Sequence, residues 1–251
     1  MKKIFCLLIG LIIFACPLNF LLADESASEI LNKMDYNSAP DTIIYNAKLV
    51  IHQSNRTDVK EFKLYGSGQE RSFVVFMSPL RDKNISVLRI NDNLWMYYPS
   101  AEKTIKLSGH MLRQSFMGSD FSYEDGTERW KMLEKYDGTI TGSDQINGRP
   151  TYVLSLTAKK SDATYYKKII WIDKEKYVML KGEMYAKSGK LLKTAMSEVV
   201  QQFDNRYYAT TIRMEDKLRK DKFSEMIFSN IQFDPSIPES TFTLKNLEQR
   251  Q

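Results

Sequence analysis

The chain has 251 residues, with 36 Lys and Arg against 31 Asp and Glu and a formal net charge of +5. That length can bury a sizeable core without help from cross-links. Its basic residues come in short, interspersed pairs such as Lys159-Lys160 and Lys167-Lys168, which gives nucleic-acid binding little support.

Met1-Lys2-Lys3 is a basic start, and the run over 4–15 has no charged or amide side chain. This run is too short to anchor stably across a bilayer and reads as the apolar part of a signal peptide. Two exits compete. Cleavage after Ala23 suits the polar switch at Asp24-Glu25, with Leu21 somewhat large for its position. Ile13-Phe14-Ala15-Cys16 instead resembles a relaxed lipobox that would leave Cys16 acylated and the chain anchored to the envelope. The first exit predicts a signal peptide over 1–23 and a single periplasmic domain over 24–251. Both cysteines, Cys6 and Cys16, are then lost. This excludes disulfides, thiolate zinc sites and a cysteine nucleophile from what remains.

The first mature segment reads as a helix. Ser26 can cap it, Glu29 completes a capping box, and Ile30, Leu31 and Met34 make an apolar stripe that Pro40 brings to an end. From Ile43 the period changes to two, with Ile43, Tyr45, Ala47, Leu49 and Ile51 alternating against more polar neighbours. Strand-like runs follow at 59–66, 71–77, 85–90, 94–98, 151–158, 165–172, 177–186, 191–203, 207–215 and 223–233. Turn signals such as Asn91-Asp92-Asn93, Asn147-Gly148 and Ser188-Gly189 separate many of them. No helical crossover intervenes, so consecutive antiparallel hairpins are expected. Together these runs predict a mainly β protein with few helices, a large curved antiparallel sheet with one helix against its concave face.

The middle of the chain departs from this pattern. From Ser108 to Trp130 alternation fails while Met and Phe stay frequent, and 110–117 has room for two helical turns. A long irregular insert in a sheet protein is a candidate functional element.

Catalytic motifs are sparse. His52 lies in an alternating strand. His110 lies near Ser108 and Ser115, which leaves a lipid hydrolase using Ser115 or Ser119 with His110 as an alternative. No G-x-S-x-G elbow, phosphate-binding glycine loop, H-E-x-x-H or calcium loop occurs. No catalytic residue, metal or cofactor is therefore expected.

The stretch Trp95-Met96-Tyr97-Tyr98-Pro99, the basic-hydrophobic strand at 103–107, and Phe116-Met117-Gly118-Ser119-Asp120-Phe121-Ser122-Tyr123-Glu124-Asp125 together resemble the outer-membrane lipoprotein-sorting protein family, the LolA-like periplasmic carriers. Trp171-Ile172-Asp173 and the closing Ser240-Thr241-Phe242-Thr243-Leu244 agree in order. The resemblance implies an unclosed β-barrel with helices lidding an apolar cavity that accepts acyl chains of lipoproteins or free lipid. It also implies transfer between inner and outer membrane, with an inner-membrane exporter of the RND or ABC type as partner. The alternative expectation is an anchored lipid or lipoprotein acceptor, tethered through Cys16 and working with an RND-type exporter. Candidate cavity residues from the likeness are Trp95, Phe116, Met117 and Phe121, joined by Phe73, Val75 and Met77 from their alternating strand.

Overall fold

Helix α1 (Ala27–Ser38) begins where the sequence places it: Ser26 accepts the Glu29 N–H at 3.2 Å while Glu29 Oε2 accepts the Ser26 N–H at 2.8 Å. A computed structural model describes residues 25–68, 70–126 and 132–249. The signal-peptide expectation for 1–23 lies outside the described residues. The helix ends before Pro40, and Asn37 fastens that end by donating to the Lys176 carbonyl (2.7 Å) and accepting the Tyr207 N–H (2.9 Å).

Among the described residues, thirteen strands follow in one antiparallel sheet. The first six are β1 (Thr42–Gln53), β2 (Arg56–Ser67), β3 (Arg71–Ser78), β4 (Ser86–Ile90), β5 (Asn93–Tyr98) and β6 (Lys103–Leu107). After a non-strand segment and the short helix α2 (Met132–Lys135) come β7 (Tyr136–Ile146), β8 (Arg149–Ala158), β9 (Lys167–Asp173), β10 (Met179–Tyr185), β11 (Leu191–Phe203), β12 (Arg206–Asp216) and β13 (Phe223–Phe233). Helix α3 (Leu244–Gln249) closes the described chain. The spatial order is β6-β5-β4-β3-β2-β1-β13-β12-β11-β10-β9-β8-β7. Each half is thus a meander, the halves meet at β1 and β13, and β6 and β7 are the two edges of a sheet that does not close. Register shifts at Ile44/Asn46, Met179/Lys181 and Ser197/Val199 mark bulges, which bend and twist a sheet.

The register traces one apolar face through the twelve strands from β6 to β8. Leu107 pairs with Leu94, Met96 with Val87, Val87 with Val74, Phe76 with Phe62, and Phe62 with Ala47. Across the seam Ala47 pairs with Phe228, then Met226 with Ile212, Met214 with Ala195, Gly182 with Ile170, and Ile170 with Leu154. This inner face carries the main core. Helix α1 lies on its β7–β9 end, where Ile30, Leu31 and Met34 join Leu154, Leu156, Ile170 and Ile172. Gly138 permits that approach: a Cβ there would stand 3.1 Å from Leu31 Cδ1. On the opposite, outer face, Phe73 and Leu88 of β3 and β4 pack with Phe242 and Leu247 from the C-terminal segment.

Three details differ from the sequence reading. β7 is a strand without an alternating pattern, because it is an edge whose residues from Thr139 to Gln145 are all exposed. Helix α3 was not anticipated. The segment 110–117 forms two 3-10 turns, Gly109–Arg113 and Phe116–Gly118, instead of an α-helix. Gln114 and Ser115 are extended between the turns, and Met117 takes a left-handed φ of 52°.

Candidate functional site

The segment between β6 and β7 leaves the sheet at one rim and returns to it at the other, and it lies against the inner face. Its apolar side chains Met111, Leu112, Phe116, Met117, Phe121 and Tyr123 all pack against the main core cluster, each only half-buried. Phe116 is central, with ring centroids 5.9 Å from Phe62, 5.9 Å from Phe76 and 5.4 Å from Tyr123. The Tyr123 hydroxyl donates to Met96 Sδ at 3.7 Å, and burial pushes its pKa up to about 12. Phe121 reaches further along the sheet, to the cluster of Tyr165, Met184, Ala195 and Met214.

Local hydrogen bonds give the segment its own shape. Phe116 N–H donates to the Phe121 carbonyl at 2.7 Å, the Ser115 hydroxyl to the Ser119 carbonyl at 2.7 Å, and the Ser119 hydroxyl to the Phe116 carbonyl at 2.6 Å. Ser122 and Asp125 bond reciprocally, N–H to Oδ2 at 2.6 Å and N–H to Oγ at 3.2 Å. Both candidate serines are therefore engaged within the loop. Among the described residues no hydrogen bond joins either of them to His110, which is exposed.

Attachment to the sheet is polar. Asp120 N–H donates to Ser224 Oγ at 3.0 Å, and that hydroxyl donates to Asp120 Oδ2 at 2.5 Å. Asp120 Oδ1 is buried without a hydrogen-bond partner among the described residues, an arrangement that costs stability. Asp125 accepts from Tyr165 Oη at 2.6 Å and from Lys193 Nζ at 2.7 Å. Burial, followed by the Asp125 charge, drives the Tyr165 pKa far above its ordinary value, so the phenol stays a donor. Glu124 accepts from Thr164 at 2.7 Å. The Gly-Ser-Asp-Phe-Ser-Tyr-Glu-Asp run is thus a set of latches interleaved with apolar contacts.

The seven cavity candidates do not come together. Phe116, Met117 and Phe121 lie over the inner face, whereas Phe73, Val75 and Trp95 belong to the outer-face cluster under α3. Met77 shares the outward parity of Phe73 and Val75 and is exposed. Register places these four on the face opposite the insert: on β3 the inner positions are Val74 and Phe76. Phe62, Phe76 and Met96 lie beneath the insert and Tyr123 within it, and none of the four was a cavity candidate from sequence. Phe62 alone carried a signal, since it alternates with Glu61 and Lys63. Two surface clefts, of about 410 Å³ beside His52 and Arg213 and about 440 Å³ beside Asn46 and Asn230, lie away from the insert. Among the described residues no cluster of three His, Asp or Glu is placed to hold a metal.

An unclosed antiparallel meander with a helix and an apolar insert on its inner face is the LolA-like fold. Three solved structures share it. A DUF1329 family protein from Desulfovibrio piger has a TM-score of 0.79 and 23% identity, covering 87% of this chain and 96% of its own. A LolA superfamily protein from Nitrosomonas europaea has a TM-score of 0.75 and 25% identity, covering 88% and 99%. A Vibrio parahaemolyticus protein described as an outer membrane lipoprotein-sorting protein domain has a TM-score of 0.79 and 23% identity, covering 88% and 97%. A family model described as "Uncharacterized protein" matches residues 68–249, and the chain belongs to that family. No curated protein matches it.

Proposed function

We propose that this protein is exported, loses residues 1–23, and works as a single domain over 24–251 in the periplasm. There it shelters the acyl chains of lipoproteins or free lipid between inner and outer membrane, receiving them from an inner-membrane exporter of the RND or ABC type. It is a binding protein and not an enzyme. The observation that carries this reading is the insert: a segment with half-buried Phe116, Met117 and Phe121, held over an apolar face by a few polar latches. Released from those latches it is a lid, and the space between lid and sheet is apolar on both sides. Each methylene kept from water contributes about 0.8 kcal/mol, so a chain of roughly a dozen methylenes needs ~10 kcal/mol of shelter. Phe116, Met117 and Phe121 are the lid side of that site, with Phe62, Phe76 and Met96 as its floor.

The test is Phe116→Asp, which sets a charge where the chain would lie. Affinity for a fluorescent fatty acid is expected to fall by about tenfold or more, roughly 1.4 kcal/mol or above. Phe121→Asp serves as a second probe, and the melting temperature of each variant is measured alongside. Unchanged affinity in a stably folded Phe116→Asp protein sinks the placement of the site. Intact mass of the envelope form separates a chain beginning at Asp24 from one acylated at Cys16.

A further inference from the structure

The meander sends alternate connections to opposite rims of the sheet. One rim carries the turns 54–55, 79–85, 99–102, 159–166, 186–190 and 217–222. The other carries 39–41, 68–70, 91–92, 147–148, 174–178, 204–205 and 234–238. Their charges have opposite signs. The first set holds ten Lys and Arg against four Asp and Glu, and the second holds two against six. One of the four acids on the basic rim, Asp82, is buried and already paired with Lys60. Lys187, Lys190, Lys217 and Lys220 are exposed.

A second observation falls on the same rim. Leu80 is 86% exposed and Leu218 56%, the two most exposed large hydrophobic side chains among the described residues. Both sit at turn tips. Leu80 lies in a 3-10 turn beside Arg81, and Leu218 lies between Lys217 and Arg219 with its N–H donated to Asp216 Oδ1 at 2.9 Å. Apolar tips set among cations have the chemistry of an interfacial anchor, the leucines suiting the acyl boundary and the cations the phosphate layer. We infer that the basic rim docks on a bilayer surface containing anionic phospholipid, with Leu80 and Leu218 entering the headgroup region. The acidic rim then faces away, and the charge asymmetry orients the approach. This inference stands independently of the carrier reading, because it concerns a lipid surface and not a sheltered chain.

The test uses the exported protein, purified from its own envelope, with one environment-sensitive fluorophore at a time on Leu80→Cys, Leu218→Cys or, on the acidic rim, Asn147→Cys. Vesicles are pure phosphatidylcholine, or phosphatidylcholine and phosphatidylglycerol in equal parts. Labels at positions 80 and 218 are expected to shift to the blue with the anionic vesicles alone, and the label at 147 to stay unchanged. In unlabelled protein, Lys217→Ala with Lys220→Ala should weaken anionic-vesicle binding by roughly tenfold or more. No shift with anionic vesicles, equal shifts with neutral ones, or a shift at position 147 overturns the inference. So does binding of poly-glutamate without vesicle binding, which points instead to an acidic protein partner.

Discussion

Helix α1 and the insert over 108–125 cover the same face of the same sheet, and they are held there in opposite ways. The buried side chains of α1 are mostly apolar: Ile30 and Leu31 are fully enclosed and Met34 nearly so. In the insert the enclosed residues are Ser119, Asp120, Ser122 and Asp125, while its Phe and Met side chains remain half-exposed. Lifting α1 would open apolar surface and leave a void, with no compensation from water. Lifting the insert also uncovers Phe62 and Phe76 beneath Phe116, but its enclosed polar groups exchange protein hydrogen bonds for hydration, and the net worth of such bonds is about 1 kcal/mol each. One cover is a wedge and the other a latch.

The largest effect is expected on the wedge. Leu31→Ala should cost about 3 kcal/mol of global stability, read as a lower denaturant midpoint at unchanged slope. Fatty-acid affinity should be unaltered in the folded protein. A loss of affinity matching the loss of stability would show that the two covers act as one unit.

A comparable but local effect is expected on the latch. Asp125→Asn leaves Lys193 with a largely buried charge and no counterion, a change of about 3 kcal/mol. Amide exchange at Phe116, Ser119 and Ser122 should accelerate by roughly thirtyfold or more while the exchange of α1 stays put. Fatty-acid affinity should rise, because less free energy is spent opening the lid. Adding Lys193→Met should restore slow exchange. Acceleration spread equally over α1 would remove the distinction between the covers.

The smallest effect is a pH dependence confined to the insert. Burial raises the Tyr123 pKa in the folded state from an ordinary value near 10 to about 12. Folding therefore favours the protonated phenol, and the stability tied to it is complete below about pH 10 and lost as pH rises towards 12. Exchange in the insert should quicken across that window in the native protein, and Tyr123→Phe should flatten the dependence. An unchanged profile in that variant would assign the alkaline step elsewhere.

Much of the architecture was legible because local chemistry and tertiary demand agree. The Ser26–Glu29 box and the Ile30, Leu31, Met34 stripe define α1 without reference to the rest of the chain. Alternation over β1 and β2 reports one covered face and one open face. On β3 that signal vanishes. Phe73, Val74, Val75 and Phe76 are all apolar because α3 and the C-terminal segment cover one side and the insert the other. A strand packed on both faces does not declare which side looks inward, and the site residues taken from it fell on the outer face. β7 was hidden for the opposite reason, having almost nothing covered. The insert's apolar content was visible in the sequence. Its latches were not, since Ser224, Tyr165 and Lys193 reach it from strands and connections far along the chain.

The open edges at β6 and β7 have a mechanical consequence. In a closed barrel, strand number, shear and tilt are mutually fixed, so girth can change only by breaking ladder bonds. Here the sheet order ends at β6 on one side and β7 on the other. A small change of twist, shared over the strand pairs between them, widens or narrows the trough while leaving the ladders intact. In the proposed carrier role, compliance of this kind would let one framework accommodate cargo of different thickness, with the elastic cost spread over the whole sheet instead of concentrated at a hinge.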